Sequence, residues 1–322
     1  MGSMYRILVW CPLLEDDLAL LRQQGYQVER LLRAETMAAP ALAAHVRGFD
    51  ALMVGLDPVP AEMLSGDRLK VVARFGIGVD SVDVEAATAA GVMVTNTPGA
   101  SKVGVAELAI SLMFSLARQL PQHHAWTKAG GWQRQLGFEL FGKTLGLVGL
   151  GQVGKEVARR AVCLGMRVVA HDIAWDQEFS REYEVKRGSL ENVLSQSDFV
   201  SLHVPSTPST IGLMGEKQLK MMKKGAMLIN TARGSLIDEE ALYNALISQH
   251  LGGAALDVFA NEPPAGSPLL DLDQVIFSPH QGGETRESFR NYSRMCTDNV
   301  LAALGGDRPP NIVNPEVPDQ TG

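Results

Sequence analysis

Short β-branched runs alternate with helical stretches along almost the whole of the 322-residue chain, and no other feature limits its fold so strongly. Strands separated by helices pair in parallel, because a parallel neighbour is reached only through a long crossover. In the first third, Arg6–Trp10, Ala51–Val54, Val71–Phe75 and Val92–Thr95 read as strands, with helical patterns such as Leu13–Gln23 and Val84–Ala90 between some of them. Val103–Leu120 then reads as one long apolar helix, stopped by Pro121. From Gly142 the alternation restarts, with strands at Thr144–Gly149, Arg167–His171, Phe199–His203, Ala226–Asn230, Ala254–Val258 and Val275–Ser278. The helix Val153–Leu164 puts Val153, Val157, Ala161 and Leu164 on one face.

Six strands in this order match the doubly wound arrangement that binds dinucleotides. The chain is therefore expected to be an α/β protein of two doubly wound parallel-sheet domains. A Rossmann-type dinucleotide-binding domain over residues 100–285 would be inserted into a smaller, flavodoxin-like domain of residues 1–99 and 286–322. After His280 a polar helix, about Glu287–Leu304, leads into a Pro-rich tail. A length of 322 residues suits two domains that each bury a core.

Charge and composition narrow the function. The formal net charge is −7 with no basic run, which argues against nucleic acid as a partner, since phosphate binding needs clustered positive charge. No apolar stretch is long enough to span a bilayer, so no membrane role is expected. Met1-Gly2-Ser3 reads as an expression remnant before Met4 and lacks the apolar core of a signal peptide. Cys11, Cys163 and Cys296 are too far apart for a disulfide framework or a zinc pattern. They are expected to be free thiols in a cytoplasmic protein that carries no metal.

Gly149-Leu150-Gly151-Gln152-Val153-Gly154 fits G-x-G-x-x-G. Three glycines alone often mark plain turns; here an apolar strand precedes them and an amphipathic helix follows. Asp172 lies 18 residues after Gly154, at the end of the next strand. Gly149 permits the tight turn, Gly151 lets the backbone approach a pyrophosphate, and Gly154 lets the helix pack close to the strand. The helix N-terminus offers free N–H groups to the anion. Asp172 would accept hydrogen bonds from ribose hydroxyls and repel a 2′-phosphate, and no Arg or Lys follows until Arg181, so NAD is expected rather than NADP.

Three further segments follow expected strands: Asn230-Thr231-Ala232-Arg233-Gly234, Asp257-Val258-Phe259-Ala260-Asn261-Glu262-Pro263 and Ser278-Pro279-His280-Gln281-Gly282-Gly283. Taken singly, Arg233 would be a surface ion-pair partner, Glu262 a solvated loop residue and His280 a satisfied core histidine. In an open parallel sheet, however, chain ends at the carboxyl edge converge on the ligand crevice. An Arg grips the carboxylate of a 2-keto acid bidentately. A His protonates the carbonyl as hydride arrives, and a carboxylate holds the imidazole and favours its charged form.

The chain resembles the D-2-hydroxyacid dehydrogenase family, which includes 3-phosphoglycerate dehydrogenase, from about Ala51 to Asn314. The segments that carry the resemblance are Val72–Asp80, Asn96–Gly99, Val105–Glu107, Gly149–Gly154, Asn230–Gly234, Asp257–Pro263 and Pro279–Gly283. It implies that Arg233 binds the substrate carboxylate and carbonyl, that His280 is the acid/base, and that Glu262 supports it. It implies that Asp257 contacts the nicotinamide carboxamide, and that Thr97, Gln152, Val153, Val204, Thr231, Gly282 and Gly283 line the cofactor. Gly76-Ile77-Gly78, with Arg74, would bind the substrate, the loop through backbone donors. Family members are usually homodimers joined through their cofactor domains.

Two departures bear on the substrate. Phosphoglycerate dehydrogenases carry an Arg after the strand equivalent to Leu52–Val54, where this chain has Gly55-Leu56-Asp57-Pro58. The chain also stops at Gly322 without the regulatory domains of many such enzymes, so serine feedback is not expected. The reading is thus a small, unphosphorylated 2-hydroxy/2-keto acid. The alternatives are a short-form 3-phosphoglycerate dehydrogenase and an NAD-sensing protein like the C-terminal-binding-protein corepressors.

Overall fold

The computed structural model describes residues 5–31 and 37–318, so the expected remnant Met1-Gly2-Ser3 lies outside the described residues. The chain divides into two compact units, Met1–Ser101 with Thr285–Gly322 and Lys102–Glu284.

The first unit is built on β1 (Arg6–Trp10), β2 (Gln27–Arg30), β3 (Ala51–Val54), β4 (Val71–Arg74) and β5 (Met93–Thr95). All pair in parallel in the order β2-β1-β3-β4-β5, the flavodoxin-like order. Every residue of β3 and β4 is buried, as expected of central strands covered on both faces. The sequence reading missed β2, because Gln-Val-Glu-Arg has neither apolar run nor clear alternation. It lies at the sheet edge, where polar residues discourage further pairing. The returning helix Arg286–Gly305 is less polar than it reads. Tyr292, Cys296, Val300 and Ala303 recur at helical spacing and join a core with Ile7, Met53 and Ala73. Thr285 caps the start of this helix by accepting the Ser288 N–H at 3.0 Å, and Gly306, with φ of +89°, ends it.

The second unit contains β6 (Thr144–Val148), β7 (Arg167–His171), β8 (Lys186–Arg187), β9 (Phe199–Leu202), β10 (Met227–Asn230), β11 (Gly253–Leu256) and β12 (Val275–Phe277). Its parallel sheet has seven strands rather than six, in the order β12-β11-β10-β9-β6-β7-β8. The extra strand, β8, is a two-residue basic edge too short to show a period. Strand order reverses at β6, which pairs with β7 on one side and β9 on the other. Such a switch point leaves a crevice at the carboxyl ends of the strands.

The apolar helix of this unit runs Lys102–Arg118 and sends Ala106, Ala109, Met113 and Ala117 into a core with Leu145, Leu147 and Phe199. Pro121 does not stop it. The break comes earlier, at Gln119, whose φ of +48° turns the chain. A second helix, Leu120–Lys128, begins there with Pro121 in its first turn, where a missing N–H breaks no bond. No single helix among the described residues is long and apolar enough to cross a membrane.

Candidate active site

The glycine loop follows β6 at the switch point, and its three glycines answer to different constraints. Gly149 has φ of +101°, and a Cβ there would meet the His203 carbonyl carbon at 2.7 Å and Val204 Cγ1 at 3.0 Å. A Cβ on Gly154 would collide with the Gly149 carbonyl oxygen. Gly151 meets nothing within 4 Å. The protein's own packing therefore demands the outer glycines, while the middle one keeps open space beside a backbone that can approach a pyrophosphate. Gln152 and Val153 open the helix Gln152–Cys163, whose first-turn N–H groups suit an anion.

Asp172, just past β7, is tied to this loop. Its Oδ2 accepts the Leu150 N–H at 2.5 Å and its Oδ1 the Ala174 N–H at 2.7 Å. The side chain expected to meet the ribose thus also holds the glycine loop. His203, just past β9, bonds Ser201 Oγ through Nε2 at 2.9 Å. Although the residue is partly exposed as a whole, burial of its imidazole pushes its pKa down to about 4. It is therefore neutral near pH 7 and adds no positive charge beside Gly149. Thr231 Oγ1 in this unit and Thr97 Oγ1 in the first are buried hydroxyls without a hydrogen-bond partner, the kind of group a ligand satisfies. Open space at Gly151, the helix start, Asp172 and the orphaned Thr231 hydroxyl together fit a dinucleotide.

The His280–Glu262 pair is assembled from the ends of adjacent strands. Arg233 follows β10, Asp257–Glu262 follows β11 and His280 follows β12. His280 Nδ1 lies 2.8 Å from Glu262 Oε2. A carboxylate only accepts, so Nδ1 carries the proton in that bond and Nε2 is left to exchange one with a substrate. Glu262 is held in turn, its Oε1 accepting the Phe259 N–H at 3.1 Å. Asp257 organises the histidine loop. It is 1% exposed, and its carboxylate accepts Ser278 Oγ–H at 2.6 Å and the Gln281 and Gly282 N–H groups at 2.9 Å each. These bonds embrace His280 itself, whose φ of +49° is unusual for a residue with a Cβ. Gly283 completes the loop.

Arg233 is fixed by its own segment. Its carbonyl accepts Asn230 Nδ2–H at 2.8 Å, and Asn230 Oδ1 accepts the Ala232 N–H at 3.0 Å. Gly234 must be glycine, because a Cβ would run into the Phe259–Ala260 backbone. The arginine loop and the glutamate loop are therefore in direct contact. Arg233, Glu262 and His280 share one sheet edge, with Glu262 and His280 hydrogen-bonded.

In the first unit Arg74 ends β4 as a 5% exposed residue whose guanidinium donates to the Phe75 carbonyl. Gly76 is buried, Gly78 partly buried and Ile77 exposed. Ser278 and Asn96 sit inside motifs quoted from the sequence, yet their roles were not read there. Their partners Asp257 and Ile77 are 21 and 19 residues away, beyond any local pattern.

The profile of the family described as D-isomer specific 2-hydroxyacid dehydrogenase, NAD binding domain, matches residues 110–282. The D-3-phosphoglycerate dehydrogenase of Methanocaldococcus jannaschii is 40% identical over 98% of this chain, which spans only 61% of that relative's length. The glyoxylate reductase of Korarchaeum cryptofilum is 41% identical over 84% of this chain and 85% of its own. Among solved structures, a glyoxylate reductase from Paecilomyes thermophila aligns with a TM-score of 0.89 at 30% identity, over 98% of this chain and 99% of that one. The fold, the nucleotide loop and these matches together show that the chain belongs to the D-isomer specific 2-hydroxyacid dehydrogenase family.

Proposed function

We propose that the protein is an NAD-dependent dehydrogenase acting on a small, unphosphorylated D-2-hydroxy acid and its 2-keto acid. The hydrogen-bonded His280–Glu262 pair, on the same sheet edge as Arg233, carries this reading. Bound nicotinamide supplies the hydride chemistry. The Arg233 guanidinium holds the carboxylate and polarises the carbonyl of the keto acid. His280 gives the proton from Nε2 to the carbonyl oxygen, and takes one from the hydroxyl in the reverse direction. Glu262 keeps the ring oriented through its hydrogen bond to Nδ1.

The loop after β3 supports a substrate without phosphate. Gly55 replaces a basic residue, and the Asp57 carboxylate oxygen lies 3.6 Å from where a Gly55 Cβ would stand. A carboxylate there repels a phosphate. One charge-assisted contact is worth about 1.5–3 kcal/mol, so unphosphorylated acids should lead by at least about tenfold in kcat/KM. NADH consumption across glyoxylate, hydroxypyruvate, pyruvate, phenylpyruvate and 3-phosphohydroxypyruvate tests this. A clear preference for the phosphorylated compound would promote the 3-phosphoglycerate reading favoured by the relatives of that name.

We also propose a homodimer, supported by the apolar side chains that the second unit exposes at Leu120, Trp132, Leu136 and Phe141. A cytoplasmic location is proposed with it, supported by the free thiols of Cys11, Cys163 and Cys296.

A further inference from the structure

We propose that Asn96 is a positioning residue for the substrate carboxylate, aiming the backbone N–H groups of Ile77 and Gly78. This rests on the keto-acid reading above and extends it to a residue outside the reacting groups. The chain turns sharply as it leaves β4. Gly76 has φ of +150°, and a Cβ there would meet Arg74 Nη1 at 2.7 Å, so only glycine makes this turn. Two successive carbonyls are then captured from the same side. The Gly76 carbonyl accepts the Thr97 N–H at 3.0 Å, and the Ile77 carbonyl accepts Asn96 Nδ2–H at 2.8 Å.

In a planar trans peptide the C=O and the following N–H point in opposite directions. Anchoring the Gly76 carbonyl therefore turns the Ile77 N–H away from Thr97. Anchoring the Ile77 carbonyl turns the Gly78 N–H away from Asn96. Both donors face away from the end of β5, and among the described residues neither has an acceptor within the protein. Two adjacent, similarly directed N–H groups without acceptors form an anion-binding concavity. Ile77 and Gly78 are not buried, so an anion can reach them.

The anchor is itself braced. The Asn96 carbonyl accepts Asn299 Nδ2–H at 2.9 Å, and its N–H donates to the Asn311 carbonyl at 3.2 Å. Asn311 Nδ2 in turn donates to Asn299 Oδ1 at 3.2 Å. Asn299 is fully buried on the helix Arg286–Gly305, so the C-terminal segment of the chain grips the strand end that aims the loop. Asparagine suits the task because a neutral amide donates to a carbonyl without bringing a charge beside the substrate's own carboxylate. Aspartate has nearly the same shape but, ionised, offers only acceptors to the Ile77 carbonyl.

A bracing role without function would lower stability and harm every ligand alike. A positioning role predicts a selective loss, so Asn96→Asp and Asn96→Ala are compared with the wild type at saturating NADH. The assay uses the best keto acid of the panel and its ethyl ester, with NADH affinity and Tm measured alongside. KM for the acid should rise at least about fivefold, because hydrogen bonds to a charged group are among the stronger ones. Changes in kcat, in KM for the ester and in NADH affinity should stay within about twofold, and Tm should stay close to that of the wild type. Unchanged KM for the acid overturns the proposal, and so does a parallel loss of acid, ester and NADH binding. Oxamate, a carboxylate-bearing dead-end inhibitor, gives a second readout, and its inhibition constant should rise with KM. A wild type that reduces no keto acid would instead sink the reading on which this proposal rests.

Discussion

The carboxyl edges of the two sheets solve recognition in different ways. In the second unit the edge carries ionisable side chains held by hydrogen bonds: Asp172 by two backbone N–H groups, Asp257 by three donors and His280 by Glu262. In the first unit the loop after β4 presents the backbone N–H groups of Ile77 and Gly78, and Asn96 holds the Ile77 carbonyl. Ionisable side chains can exchange protons and select a cofactor by charge, whereas backbone donors can hold an anion whatever side chains they carry. One consequence is that substitutions in the second unit should damage proton transfer or cofactor binding, whereas those around the loop after β4 should damage only affinity for the substrate.

The sharpest way to break this contrast is His280→Gln. In this variant kcat should fall by about 10²–10⁴-fold, the usual contribution of general acid–base catalysis. NADH affinity should hardly change, as measured by fluorescence titration. Near-normal kcat on the best substrate would remove His280 from the acid/base role.

Asp172→Ala should cost less and should act on binding. The carboxylate bonds the Leu150 N–H and is expected to meet the ribose, so its removal loosens the loop and the nucleotide together. NADH affinity should drop by about tenfold or more, on the scale of a charge-assisted bond, while NADPH affinity is unchanged or improved. Isothermal titration with both cofactors checks this. A wild type that binds NADPH more tightly would contradict the role given to Asp172.

What could be read in advance follows the same division. The glycine loop and Asp172 were legible because they are contiguous or separated by one short helix, and their spacing is imposed by a βαβ unit. Arg233, Glu262 and His280 could be brought together because consecutive strands of a parallel sheet end on one edge. The two short edge strands β2 and β8 were not legible, since Gln-Val-Glu-Arg and Lys-Arg bury too little to leave a period. Neither was the restart at Gln119. A proline that looks like a terminator equally suits a first turn, and a left-handed Gln119 has no marker in the sequence. The clamps through Ser278 and Asn96 were hidden because their partners are distant in the chain.

The smallest expected effect concerns His203, beside the glycine loop. Burial lowers its pKa from 6.5 to about 4. Between those values the unfolded chain binds more protons than the folded one, so stability falls as pH drops through that window. In His203→Gln this dependence is lost, and the fall in Tm from pH 6.5 to 4 should be shallower than in the wild type. Equal slopes in thermal unfolding series would show that the imidazole is not desolvated.

Every assignment above depends on hydride moving between a nicotinamide and C2 of a small keto acid on this scaffold. Reducing glyoxylate's larger homologue pyruvate with NADH carrying deuterium at C4 on the transferred face tests it directly. The account predicts D-lactate with one deuterium at C2, formed by the wild type and nearly abolished in His280→Gln. Tight NADH binding with no label in any product, across the whole keto-acid panel, would contradict it and leave a nucleotide-binding module in place of an enzyme.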